Sequence, residues 1–295
     1  MSRKGTWVEL ALLGLGLLAL LTGCASRPAA NGTTTTVASV IQNTGSDTLV
    51  NLALAWAERY MPAHPDARIS VTGGGSGTGI AALINGTTDI ANASRAMKQE
   101  EYDAAQKNGI TPVEFTVARD AIAIVVHPAN PVDRLTLQQL SDIYQGKITN
   151  WQEIGGEDRP IVLLSRESNS GTYVYFLENV VRLGAKSDLL FSSDTLLMPS
   201  SEGISVEVRQ NPNAIGYDGL GYVTSDQKVI AVAQNPDGLY VKPSVATVND
   251  GSYPISRPLF MITAGQPTDQ LKSYLDYILG DGQALVVELG FVPLR

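Results

Sequence analysis

The stretch Ile161-Val162-Leu163-Leu164-Ser165-Arg166-Glu167-Ser168-Asn169-Ser170-Gly171-Thr172-Tyr173-Val174-Tyr175-Phe176-Leu177 reads as one strand–loop–helix unit. The aliphatic run Ile161 to Ser165 predicts a buried strand. Tyr173, Phe176, Leu177 and Val180 then share one face of a helix expected over Thr172 to Leu183. The polar loop between them enters the helix at Ser170-Gly171-Thr172. A helix's first turn carries N–H groups without partners and a positive partial charge. Glycine lets the backbone approach a ligand closely, and hydroxyls add donors. Such a unit can present an oxyanion with several donors at once.

Two more loops share this character. Thr44-Gly45-Ser46-Asp47-Thr48 opens a helix whose apolar positions are Leu49, Leu52, Ala53, Trp56 and Tyr60, with Pro62 as its end. Gly73-Gly74-Gly75-Ser76-Gly77-Thr78-Gly79 follows a strand at Ile69 to Thr72 and leads into a short helix at Ile80 to Ile84. Three such turns meeting at one point would form an oxyanion cage. Each also has a plainer reading, as an ordinary cap or a flexible turn.

Outward from these loops, the pattern predicts strands at Asp89–Ala93, Ala214–Tyr217 and Leu259–Thr263, and a strand-like run at Ala121–Val126 within Pro112–His127. Helices are expected over Lys98–Asn108 (stopped by Gly109), Leu135–Tyr144, Ser200–Arg209 and Thr268–Leu279 (stopped by Gly280). Strands alternating with helices indicate α/β units around a mostly parallel sheet. No internal repeat stands out at a fixed period.

The N-terminus reads as an address. Arg3 and Lys4 precede the apolar run Leu10–Leu21, which is short for a bilayer span of about 20 residues and suits a secretory leader. Leu21-Thr22-Gly23-Cys24 resembles the lipobox of bacterial lipoproteins, which implies cleavage before Cys24 and its lipidation, palmitate included. Cys24 is the sole cysteine, so no intrachain disulfide can form. A tether poor in apolar residues, 25–36, leads to folded sequence from Val37.

The formal net charge of −8 is spread without a basic patch, against a nucleic-acid surface. Hydrolase chemistry lacks parts: His64 and His127 are the only histidines, neither lies in a catalytic motif, and no G-x-S-x-G elbow exists. No metal site and no cofactor are expected.

Taken together, several segments resemble the phosphate-binding lipoproteins of bacterial ABC phosphate importers. They are the first two loops, Asp89 to Arg95, Ile143 to Trp151, Arg166 to Thr172, Asn213 to Tyr217, Tyr253 to Leu259 and Gly290 to Leu294. Their order spans the chain from Val37 to Arg295. The resemblance implies a non-enzymatic α/β protein with a two-lobe periplasmic-binding-protein-like fold (type II) and its ligand cleft between the lobes. Lobe I is expected over 37–118 plus 253–295, and lobe II over 119–252. The lobes are expected to close on the ligand.

The resemblance also implies the site. Arg166, Ser170, Gly171 and Thr172 match the phosphate-contacting pattern, a guanidinium fork suiting two oxygens. Ser76, Gly77 and Thr78 come from the second loop, and Thr48 and Leu49, with Ser46 beside them, from the first. Many family members place an Asp after the Ala-Ser that closes the strand from Asp89, whereas here Ala93-Ser94 is followed by Arg95. That carboxylate accepts the proton phosphate carries and repels ionised sulfate. Ser94 can accept as well as donate, Arg95 only donates, and Asp47 is the candidate substitute acceptor. Implied partners are inorganic phosphate and an ABC permease with its ATPase, with the membrane reached through the lipid alone. The protein is expected outside the cytoplasm, as a monomer. Other readings are a binder of sulfate, molybdate or arsenate, and a sensor or adhesin on this fold.

Overall fold

The computed structural model describes residues 40–294. The leader with Cys24, the 25–36 tether and the expected start of lobe I at Val37 lie outside the described residues. The strands are β1 (Val40–Gly45), β2 (Arg68–Thr72), β3 (Ile90–Ala93), β4 (Val113–Val126), β5 (Arg134–Thr136), β6 (Val162–Arg166), β7 (Leu196–Met198), β8 (Ala214–Gly219), β9 (Lys228–Val229), β10 (Ala231–Ala233) and β11 (Ser256–Thr263). The helices are α1 (Asp47–Tyr60), α2 (Ser76–Ile84), α3 (Gln99–Lys107), α4 (Leu137–Tyr144), α5 (Gly171–Phe176), α6 (Ser201–Gln210), α7 (Val245–Asn249), α8 (Asp269–Leu279) and α9 (Gln283–Glu288).

One sheet of nine strands runs β2-β1-β3-β11-β4-β8-β6-β7, with β9 beside β4, while β5 and β10 pair separately. Two α/β units of like topology compose it. In each, the middle of three parallel strands comes first in the chain: β2-β1-β3 and β7-β6-β8. Each then meets a long strand of opposite direction, β11 beside β3 and β4 beside β8. The expected mostly parallel sheet therefore exists only inside each unit. β4 and β11 run antiparallel to each other because they carry the chain between the units.

β4 is a single strand where two apolar stretches are read in sequence, and its second half is buried continuously rather than alternately. β11 starts at Ser256, ahead of the expected Leu259, and tolerates Pro258. β3 pairs with β11 only from Phe260 onward, so Pro258 sits where one side of the strand is open.

The core changes over along these two strands. Val117, Ala118, Leu259 and Met261 pack with Leu49, Leu52, Trp56 and Tyr274. Ala121, Ile122, Tyr253 and Ile255 pack instead with Tyr144, Phe176 and Tyr217. Between the two clusters Asp120 and Arg257 face each other in register. The fold is a two-lobe α/β architecture, and this pair lies at the junction of its cores.

Local sequence explains the helices nearest the site. The α1 face Leu49, Leu52, Ala53, Trp56, Ala57 and Tyr60 is buried, as its spacing predicts, and Pro62 falls in a closing 3₁₀ turn. α2 begins at Ser76, ahead of the expected Ile80, drawing the glycine-rich loop into its first turn. α5 stops at Phe176 and continues as a π turn over Leu177–Val181.

Candidate anion-binding site

The three loops do converge. Each lies at the carboxyl end of a strand, where a switch in strand order opens a crevice in α/β sheets. Thr48 in the first turn of α1 and Thr172 in that of α5 hydrogen-bond through their hydroxyls at 2.9 Å. Ser76, first residue of α2, accepts from the Ser94 amide at 3.0 Å, and the two serine hydroxyls stand 3.2 Å apart. Gly171 joins the pairs, because a Cβ there would lie 2.6 Å from Ser94 Oγ and closer still to Ser76 Oγ. Ser46, Thr48, Ser76, Ser94, Gly171 and Thr172 are all buried. Three helix starts and a cluster of hydroxyls thus enclose one small region.

Other expected contacts have different partners. Leu49 is buried in the core and its amide donates to Ser46 O at 3.0 Å. The Gly77 amide donates to Asn169 O at 2.9 Å, and Thr78 Oγ1 accepts from Asn169 Nδ2 at 3.3 Å. These two residues form the seam between the second and third loops. Gly75 opens that seam: its φ is +91°, and a Cβ would stand 2.9 Å from Asn169 O. Arg95 turns away into a two-pronged pair with Glu101, at 2.8 and 2.6 Å. Ser170 Oγ caps the Thr172 and Tyr173 amides, the duller of the two jobs open to it.

Arg166 is held by four hydrogen bonds within the protein. Its Nη2 donates to Asp47 Oδ2 at 2.7 Å and to Pro199 O at 3.0 Å. Nη1 donates to Ser201 Oγ at 3.0 Å and Nε to Met198 O at 3.3 Å. Four of the five N–H bonds of its guanidinium are thus paired within the protein. Asp47 is correspondingly no idle acceptor, its Oδ1 also receiving the Gly74 amide at 3.1 Å.

The match with known proteins is extensive. Residues 29–282 fit the family model described as a PBP superfamily domain. Phosphate-binding protein PstS of Pseudomonas aeruginosa is 35% identical over 276 residues, covering 88% of this chain and 84% of that protein. A Clostridium perfringens phosphate ABC transporter substrate-binding protein, solved with bound phosphate, is 34% identical with a TM-score of 0.78, covering 87% of this chain and all of that one. The chain belongs to the phosphate-binding proteins of the PBP superfamily. An ABC-type phosphate transport receptor from Vibrio cholerae is also similar, at 32% identity and a TM-score of 0.68 over 86% of this chain.

In this family member a second guanidinium, absent from the sequence-based list, stands at the cage. Arg257 Nη2 lies 2.9 Å from Thr172 Oγ1 and 3.4 Å from Thr48 Oγ1. Asp120 Oδ2 accepts from its Nη2 at 3.0 Å and its Nε at 3.3 Å, while Oδ1 accepts the Leu220 amide at 3.0 Å. The two side chains are 1% and 0% exposed. Burial pushes the Asp120 carboxyl above its ordinary range, with Arg257 and the Leu220 and Ala121 amides pulling it back. A groove of about 380 Å³ opens beside Arg257, bounded by Arg95, Met97, Tyr175 and Phe260 among others. The only sequence signal for Arg257 was its place in the Tyr253–Leu259 segment.

Asp218, at the end of β8, is a second missed group. It is buried, its Oδ1 accepts the Gly219 amide at 2.8 Å, and its Oδ2 has no hydrogen-bond partner. Burial pushes it up to about 7, against the pull of Arg166. Among the described residues no group of three or more His, Cys, Asp or Glu side chains is placed to hold a metal.

Proposed function

We propose that this chain captures inorganic phosphate outside the cytoplasm and delivers it to an ABC permease, without covalent chemistry. The observation that carries the reading is the meeting of the α1, α2 and α5 starts around the hydroxyls of Thr48, Ser76, Ser94 and Thr172. A tetrahedral oxyanion is the ligand class that such a set of amides and hydroxyls suits. The names and bound ligand of the similar proteins specify phosphate.

Ser46, Thr48, Ser76, Ser94, Gly171 and Thr172 are the contacts we assign. Surface charges are screened over about 8 Å at physiological salt, so local donors can hold the anion within an acidic protein. Lobe I extends from the N-terminal unit through Ala118 and resumes near Arg257, and lobe II lies between. The core change at Asp120–Arg257 supports that division, a few residues beyond the boundary at 253 read from sequence. Cys24 carries the lipid, and the monomer hangs from the membrane by it. Cys24→Ala should move the protein from the membrane fraction to the soluble one, and unchanged fractionation would remove the anchor.

Isothermal titration of the chain from Val37 onward tests the main reading. Phosphate should bind at micromolar concentrations or below, arsenate comparably and sulfate more weakly. A protein that gives no heat with phosphate but titrates with sulfate or molybdate would overturn the assignment.

A further inference from the structure

We propose that Asp218 is a proton switch behind the anion cage: the protein holds phosphate tightly while this carboxyl is neutral and loses affinity once it ionises. The inference deepens the phosphate reading and rests on it. β8 ends against the cage, since a Cβ on Gly219 would stand 3.2 Å from Thr48 Cγ2 and 3.1 Å from Asp120 Oδ2. Successive strand residues alternate faces, and Gly216 faces Ile204 and Val208 of α6. Asp218 shares that face, beside Ser201 at the start of α6 and Arg166 at the end of the neighbouring β6. It is buried, and its Oδ2 has no hydrogen-bond partner.

Charge balance makes this carboxyl decisive. Among the described residues the buried charged side chains are Asp120, Arg166, Asp218 and Arg257. Arg257 is paired with Asp120, and Arg166 with Asp47 of α1. Arg95 is paired with Glu101. Each of these three guanidiniums thus has its carboxylate, and Asp218 is the carboxyl left without a cation of its own. The groups around it are Arg166 from β6, Asp120 from β4, Tyr222 from the turn after β8 and, beyond Arg166, Asp47. Burial pushes the carboxyl up to about 7, Arg166 and the Ser201 hydroxyl pull it down, and Asp120 raises it further. A captured anion adds negative charge to a balanced region, and a like charge nearby raises a carboxyl's pKa again. Above about pH 7, binding must therefore return a proton to Asp218 or hold two negative groups together, and affinity falls as pH rises.

The experiment measures phosphate affinity of wild type, Asp218→Asn and Asp218→Val by calorimetry from about pH 5.5 to about pH 8.5. Phosphate changes its own protonation over this range, so the quantity read is the ratio of wild-type to variant dissociation constants, in which that change cancels. The ratio should grow about tenfold across the series, as one linked proton requires. Thermal unfolding without phosphate reports whether each variant keeps the fold, and valine is the neutral, strand-favouring alternative should asparagine fail. In wild type, with no variant needed, the carboxyl carbon-13 resonance of Asp218 should titrate near pH 7 and move to higher pH when phosphate is added. A ratio constant with pH would overturn the inference. So would a wild-type carboxyl that stays ionised down to about pH 5, or whose titration ignores phosphate. Failure of wild type to bind phosphate at any of these pH values would instead remove the functional reading beneath it.

Discussion

The two α/β units share a strand order yet prepare their helix starts differently. In the first, Ser46 precedes α1 without a side-chain cap bond, and Gly75, which has no side chain to cap with, precedes α2. In the second, Ser170 caps α5 at two amides and Ser200 caps α6 through the Gly203 amide. The first unit thus starts its helices without a side-chain cap, while the second spends two serine hydroxyls in holding its loops. The third strands differ as well. β3 buries Asn92 near its end where β8 buries Asp218, and each side chain has polar atoms without partners. Only the second unit can titrate there. At the end of its third strand the first unit thus carries a buried amide and the second a buried, titratable carboxyl.

Substitution at the seam should break this comparison most severely. Gly171→Ala drives a methyl group between Ser76 Oγ and Ser94 Oγ, which are held by the first unit. Overpacking of this kind costs about 1–3 kcal/mol in stability, and phosphate binding should fall below detection in calorimetry. Near-wild-type affinity would mean that the cage is not where the two units meet.

Next in size is the pH dependence of stability contributed by Asp218. Its pKa rises on folding from the ordinary 3.8 to about 7. The contribution is complete below about pH 4, where both states hold the proton. It is lost as pH rises towards 7, because the unfolded chain releases a proton that the folded one retains. Asp218→Asn should flatten the decline of the melting temperature between pH 4 and 7. A parallel pair of curves would show that the carboxyl is ionised in the fold.

The smallest effect separates Ser46 and Ser170, the two serines that precede α1 and α5. Ser170→Ala should cost about 1 kcal/mol in denaturant unfolding, the worth of a cap. Ser46→Ala should cost almost nothing in stability, since its hydroxyl makes no cap bond, and should weaken phosphate several-fold. Equal stability losses would erase the distinction between the units.

Much of this was legible in the chain. Helical spacing found α1, and the loops named where three helices start. β1 escaped notice because its interior positions carry Asn43 and Gly45 instead of aliphatic residues, hiding the alternation. The shared topology of the units escaped too, for it resides in pairing order and leaves no sequence period. The expected lobe boundary at 118 came from the family resemblance alone, and the residue pattern missed the start of β11, where Pro258 reads as a break.

What the sequence determined by itself is local: helix starts, glycine positions, and membership of a family of anion binders. Capping, spacing and backbone freedom act over a few residues, so they can be read from a few residues. What the tertiary structure decided is the allocation of charge. Arg257 and Thr48 are separated by 209 positions, and Arg166 and Asp47 by 119. Two chemically identical guanidiniums differ only in which carboxylate and which carbonyls the fold brings to them. One pairs four of its five N–H groups within the protein and the other leaves a buried Nη1 without a partner, and no local pattern records that difference.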